Sequence, residues 1–147
     1  MREIKFRGKR VDNGEWIIGN LYTPTRLVKG VYISPDTNYA DFAPSFEEGD
    51  NFEEEMNKGC ALGRFIEVDP STVGQYTGLK DFNGKEIYEK DIFQTHYGSN
   101  YSVEFMQDLS LYSICRPIGK VASYPFLDYD RGVVVGNIHD NPELINQ

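Results

Sequence analysis

Over residues 2–11, Ile4 and Phe6 alternate with Glu3, Lys5 and Arg7, the two-residue period of a strand that buries one face. Asp12-Asn13-Gly14 follows. An Asn-Gly pair supplies the two positive-φ residues of a tight hairpin, so a turn is expected there. The return strand runs from Glu15 to Tyr22, with Trp16, Ile18 and Leu21 as its expected buried side. Gly19 interrupts that pattern and marks either a bulge or a close backbone approach. Pro24 breaks the pairing, and Leu27 to Ile33 reads as a third strand. Residues 1–35 are therefore expected to form a β-meander.

Residues 36–63 change character. Pro44, Gly49, Gly59 and Gly63 punctuate a stretch whose centre reads EEGDNFEEEMNKG. Asp50 to Lys58 has the signals of one or two helical turns, with Asp50 or Asn51 as cap and Gly59 as stop. Phe52 and Met56, four apart, would share a face of that helix. An acidic surface loop fits the same residues, and both readings stay open.

From Arg64 onward strand signals resume. Phe65, Ile66 and Val68 precede the Asp69-Pro70 break, and Val73 to Thr77 is short and flanked by turns. Asp81-Phe82-Asn83-Gly84 is a second Asn-Gly turn, leading into Glu86-Ile87-Tyr88. Ile92 to Tyr97 and Tyr101 to Met106 form a hairpin across Gly98-Ser99-Asn100, with Tyr101, Val103 and Phe105 on one face. Leu111 to Cys115 and Val133 to Ile138 are further strands. Short strands separated by turn residues at about ten-residue spacing indicate a small barrel or sandwich.

The segment Glu67 to Phe93, EVDPSTVGQYTGLKDFNGKEIYEKDIF, is the most distinctive part of the chain. Together with the opening REIKFRGK, followed by Trp16 and Gly19, and the ending VVVGNIHDNPEL, it resembles the YopX family of phage and prophage proteins. The three blocks stand in the family's order and span the chain apart from the acidic insert. The resemblance implies a mostly-β protein with an SH3-like barrel in its C-terminal part. It brings no established activity, and so no functional residues. One departure stands at Lys90, where the family commonly has Gly before the Asp corresponding to Asp91. Lys at positive φ is uncommon, which leaves the local turn type open. The expected architecture is mainly β: a β-meander over 1–35, an acidic loop or short-helix insert over 36–63, and a small SH3-like barrel over 64–147, in one compact unit.

Charge changes the picture only when it is divided. Residues 1–30 carry seven basic and three acidic groups, a sum of +4, whereas the whole chain carries −8. An acidic protein repels phosphate backbones at long range, so nucleic-acid binding is disfavoured except through a local basic strip. On the first strand Lys5, Arg7 and Lys9 project to one side with Arg10 nearby, and these four residues are the candidate interaction surface. An edge strand guarded against aggregation by Lys and Arg would look the same, as would a strip that neutralises the chain's own Glu53–Glu55 run. Tyr97, Tyr112 and Tyr124, where exposed, would suit a protein interface.

Other chemistry is sparse. Gly78 to Lys85, GLKDFNGK, misses the phosphate-loop pattern: five residues separate its glycines and Glu86 stands where Ser or Thr would hold magnesium. His96, His139, Cys60 and Cys115 are the only histidines and cysteines, and no two lie closer than 19 residues, which argues against a zinc knuckle. Two reduced thiols are expected. Carboxylates flank Lys90 (Glu89, Asp91) and Tyr129 (Asp128, Asp130), as solvated turns commonly do. No cofactor and no small-molecule ligand is expected. The opening residues have no apolar stretch behind their positive charge, and Val133–Val135 is too short to cross a bilayer. The resemblance implies a phage or prophage accessory protein, which is expected to act in the host cytoplasm. It would act as a non-enzymatic interaction module through a protein partner or self-association along strand edges. A nucleic-acid-binding accessory protein using the first strand is the alternative, and an enzyme of unknown type a third.

Overall fold

The computed structural model describes residues 3–23, 30–35, 65–115, 123–125 (backbone alone) and 131–145. The acidic stretch 36–63, with its helix-or-loop alternative, lies outside them, as do Cys60 and the Asp128/Asp130 pair. The chain is mainly β and antiparallel, and falls into two compact units: residues 4–73, and residues 74–147 together with 1–3.

In the first unit β1 (Phe6–Lys9), β2 (Trp16–Tyr22), β3 (Val31–Ser34) and β4 (Ile66–Val68) pair in the order β4-β3-β2-β1. Leu21 lies opposite Ile33, which lies opposite Ile66, and Val31 lies opposite Val68. Ile33 and Val68 are fully buried. Gly8 packs against both: a Cβ placed on it would sit 3.0 Å from Val68 Cβ and 3.3 Å from Ile33 Cδ1. Ile17 is paired with Gly8, so Ile17 and Leu21 share the core face of β2.

This inverts part of the expected pattern. Trp16 pairs with Lys9 and Ile18 with Arg7, so both apolar residues stand on the opposite face, where Ile18 is 46% exposed. The cause is non-local: the close packing of Gly8 on Val68 and Ile33 decides which face of β1, and hence of β2, turns inward. Gly19 is a close approach rather than a bulge. A Cβ there would fall 1.9 Å from the Ser34 carbonyl oxygen.

The Asp12-Asn13-Gly14 turn is also built differently. Only Gly14 takes positive φ (73°), the Gly14 N–H donates to the Arg10 carbonyl, and Arg10 N–H to Glu15 O closes a loop of four residues. The Asn13 side chain explains why its own backbone stays in the ordinary region, since its Oδ1 accepts the Glu15 N–H at 3.0 Å. Beside this turn, at the C-terminal end of β1, Thr72 Oγ1 accepts the Lys9 N–H at 2.9 Å and donates to Asp69 O at 2.7 Å. That ties the strand to a single 3-10 turn, Pro70–Thr72.

In the second unit β5 (Gly74–Lys80) and β6 (Glu86–Tyr88) form a hairpin. A five-stranded sheet follows: β7 (Asp91–Gln94), β8 (Asn100–Met106), β9 (Leu111–Cys115), β10 (Ser123–Pro125) and β11 (Val133–Asn137), in the order β10-β9-β8-β7-β11. Ile87, Phe93, Tyr101, Val103, Ile114 and Val134 make its core. Phe105, expected beside Tyr101 and Val103, is 42% exposed and meets Tyr112 edge-on with ring centres 5.1 Å apart. Among the described residues the end strands β10 and β11 are not paired with each other, so the sheet is open rather than a closed barrel.

Lys90 occupies the corner between β6 and β7 with φ of 68°, the conformation glycine favours. Two backbone bonds hold it there: its N–H donates to Val103 O at 2.7 Å, and its carbonyl accepts from Ile138 N at 3.0 Å. The turn keeps its glycine-type geometry without the glycine. Asp91 does not pair with Glu89 across it. Its carboxylate is buried (1% exposed) and accepts the Tyr88 N–H at 2.8 Å.

Candidate functional site

On β1 and β2, the face away from Ile33 and Val68 carries the candidate cations. Arg7 and Lys9 are two apart and therefore on one side of the strand. Each lies over the ring of Trp16, the Arg7 guanidinium carbon 4.8 Å and the Lys9 Nζ 5.6 Å from its centre. The cations and the π-face attract one another, which orders two long side chains that would otherwise sample many rotamers. Ile18 completes the patch with exposed apolar surface beside Arg7. The surface is a compact mixture of two cations, one indole and one branched aliphatic.

The other two predicted residues do not join it in the same way. Lys5 precedes β1 and is half-buried. Arg10 is turned to its own loop, where its Nε donates to Asp12 Oδ1 at 2.8 Å and its second nitrogen completes an ion pair with the same carboxylate. That hydrogen bond raises the Arg10 pKa and holds the Asp12 carboxyl below the usual carboxylate range. Arg10 therefore belongs to the turn and not to the cationic face. Conversely, Trp16 and Ile18 are the residues that sequence reasoning assigned to the core. The run Trp16-Ile17-Ile18 is apolar at three successive positions, so it contains no alternation from which a face could be chosen.

Remaining candidates are placed as follows. Cys115 is buried and free, and burial pushes its thiol pKa up, with the Glu104 charge adding to the effect and a Ser113 hydrogen bond opposing it. His96 is exposed and lies tilted by 42° against Tyr97, with ring centres 3.7 Å apart, and Tyr97 is itself 79% exposed. Among the described residues no group of three or more His, Cys, Asp or Glu could hold a metal ion. A half-open hollow of about 240 Å³ lies in the second unit between Glu89, Lys90, Ser102, Glu104, Phe105 and Ile138. It falls below the range of roughly 300–1,000 Å³ usual for small-molecule sites. Ser102 is already engaged there, donating to Glu104 Oε1 at 2.8 Å.

On each of two edge strands one outward amide is taken by a side chain. The Val134 N–H, which points away from β7, donates to Asp81 Oδ2 at 2.9 Å, while Oδ1 of the same carboxylate accepts from Asn83 N and Lys85 N. On β6 the Tyr88 N–H points away from β5 and is taken by Asp91. Self-pairing along these edges would have to displace a buried carboxylate first. No helix among the described residues is long and apolar enough to cross a membrane.

A family model described as YopX protein matches residues 5–146 of the chain. The crystal structure of protein EF1440 from Enterococcus faecalis is similar in fold, with a TM-score of 0.55 and 23% identity over 99% of each chain. No curated protein matches.

Proposed function

The chain belongs to the YopX family, and from that premise we propose that it is a phage or prophage accessory protein that works without catalysis, as a protein-interaction module in the host cytoplasm. The observation that supports this reading is the Arg7–Trp16–Lys9 cluster with Ile18 beside it. Trp and Arg dominate the energetic centres of protein interfaces, because they combine large contact area with directed polar groups. A face whose cations are already held on an indole loses little side-chain freedom on binding. The capped amides at Tyr88 and Val134 make strand addition less favourable at those two points and support recognition through a sheet face.

The test is affinity capture by the full chain from lysogenic or infected cells, with nuclease treatment, beside an Arg7→Gln/Lys9→Gln/Trp16→Ala triple variant of confirmed fold. The expected result is a protein retained by the wild type, lost with the variant and indifferent to nuclease. Retention equal in both chains, or retained material that nuclease removes, would overturn the reading.

A further inference from the structure

We infer that Asn83 is a site of spontaneous modification, where the side-chain amide is lost to the Gly84 nitrogen and the resulting isoaspartyl linkage loosens the Asp81 cap. The chain has two Asn-Gly pairs, Asn13-Gly14 and Asn83-Gly84. Glycine after asparagine leaves the backbone nitrogen unshielded, and at both glycines no described atom lies within 4 Å of where a Cβ would stand. Both asparagines are exposed. Both glycine N–H groups are held alike, Gly14 on Arg10 O at 3.0 Å and Gly84 on Asp81 O at 2.9 Å. The side chains separate the two sites. Asn13 is fixed at both ends of its amide: Oδ1 accepts the Glu15 N–H at 3.0 Å, and Nδ2 donates to Glu15 Oε2 at 2.8 Å. Turning its carbonyl carbon toward Gly14 N breaks both bonds, one of them to a charged acceptor. In the second turn Asp81 does the capping instead, its Oδ1 accepting from Asn83 N and Lys85 N. The Asn83 side-chain amide has no hydrogen-bond partner among the described residues, so it is free to change rotamer and meet Gly84 N.

Water is the only co-reactant. The Gly84 nitrogen gives up its proton and bonds to Asn83 Cγ, the Cγ–Nδ2 bond breaks, and ammonia leaves with that proton, closing a five-membered succinimide. Water then opens the ring at either carbonyl: its hydroxyl completes a carboxyl group, its other proton returns to the Gly84 nitrogen, and the carboxyl proton passes to the ammonia. Opening at the side-chain carbonyl gives aspartate. Opening at the backbone carbonyl leaves the chain running through Cβ and Cγ, one methylene longer between residues 83 and 84. Either product adds a negative charge to a chain already at −8 and places it beside the Asp81 carboxylate. The longer linkage also changes the spacing of the two amides that share Asp81 Oδ1 at 2.9 and 2.8 Å. Because Oδ2 of that carboxylate holds the buried Val134 N–H at 2.9 Å, damage in an exposed turn reaches a strand of the five-stranded sheet.

The experiment incubates the full chain at neutral pH, folded and in guanidinium chloride, and follows both Asn-Gly peptides by proteolysis and mass spectrometry. An isoaspartyl methyltransferase with its methyl donor marks the rearranged linkage. The denatured chain supplies each site's rate without the fold. The expected result is a folded-to-denatured rate ratio at least tenfold larger at Asn83 than at Asn13, with isoaspartate found at position 83. Chains carrying that linkage, separated by anion exchange, should unfold at a lower denaturant concentration than fresh protein and exchange the Val134 amide faster. An Asn83→Ser chain kept under the same conditions should hold its midpoint. Equal ratios at the two sites, a larger ratio at Asn13, or an intact Asn83 when the denatured chain has reacted would each overturn the inference. So would an isoaspartyl chain with unchanged midpoint and unchanged Val134 exchange, or an Asn83→Ser chain that weakens equally with time. The two sites are compared within one unaltered chain, so a folding defect cannot conceal the answer.

Discussion

Replacing Asp81 should show how much of the second unit hangs on one carboxylate. Its Oδ1 accepts the Asn83 N–H at 2.9 Å and the Lys85 N–H at 2.8 Å, and its Oδ2 accepts the buried Val134 N–H at 2.9 Å from 53 residues away. Hydrogen bonds to a charged acceptor contribute about 1.5–3 kcal/mol each, and a buried donor left without a partner costs about 1–3 kcal/mol. In Asp81→Ala the two turn amides belong to exposed residues and can be rehydrated, but Val134 N cannot. The loss should therefore reach about 3–5 kcal/mol, a large share of the roughly 5–15 kcal/mol that holds a typical domain. Asp81→Asn keeps an acceptor for the turn but turns an N–H donor toward the Val134 N–H, and should cost about 2–3 kcal/mol. Urea unfolding followed by circular dichroism gives the free energy, and amide exchange at Val134 locates it. A loss below about 1 kcal/mol in the alanine variant, with Val134 protection unchanged, would refute the reasoning.

Four further outcomes are expected. Lys90→Gly should stabilise the chain by about 0.5–1 kcal/mol, because relief of roughly 1–2 kcal/mol of left-handed strain exceeds the added freedom of glycine when unfolded; a lower urea midpoint would contradict this. Gly19→Ala should destabilise by about 3 kcal/mol or more, since its methyl must displace the Ser34 carbonyl, and a melting temperature equal to wild type would contradict the close approach. In a Cys60→Ser chain, Cys115 should resist a thiol reagent at pH 8 until denaturant is added, and rapid labelling of the folded chain would contradict its burial. Burial raises the folded-state pKa of Cys115 above its ordinary value of 9.0. The folded state thus keeps its proton longer than the unfolded state, so stability is unaffected below about pH 9 and declines above it. Urea midpoints measured from pH 7 to 10 would show the decline, and its persistence in a Cys115→Ala chain would assign it elsewhere.

What could be read from the chain follows the range of the forces involved. Strand positions rest on local alternation and turn residues, and most of them were legible, but the hairpin expected across residues 98–100 has the wider loop 95–99, with Gln94 opposite Asn100. Both Asn-Gly turns were found, but not their geometry, which depends on the Asn13 and Asp81 side chains capping nearby amides. The inward face of β2 was not legible, because Gly8 makes that choice by its fit against Val68, 60 residues away. Sheet closure is likewise a matter of which distant strands meet, and no local signal distinguishes an open five-stranded sheet from a barrel. The candidate site was half legible. Arg7 and Lys9 could be placed on one side of a strand, but the indole beneath them could not, and nothing separated Arg10 from them until Asp12 was seen to hold it.

The aspartates that cap Val134 and Tyr88 have a consequence for how the chain behaves in bulk. Amides that point outward from a sheet are the seeds of fibres, and here two of them are satisfied from within the same molecule. Pairing between copies is opposed at those two amides. Losing either aspartate would cost solubility as well as folding free energy, with turbidity in concentrated samples as its first sign.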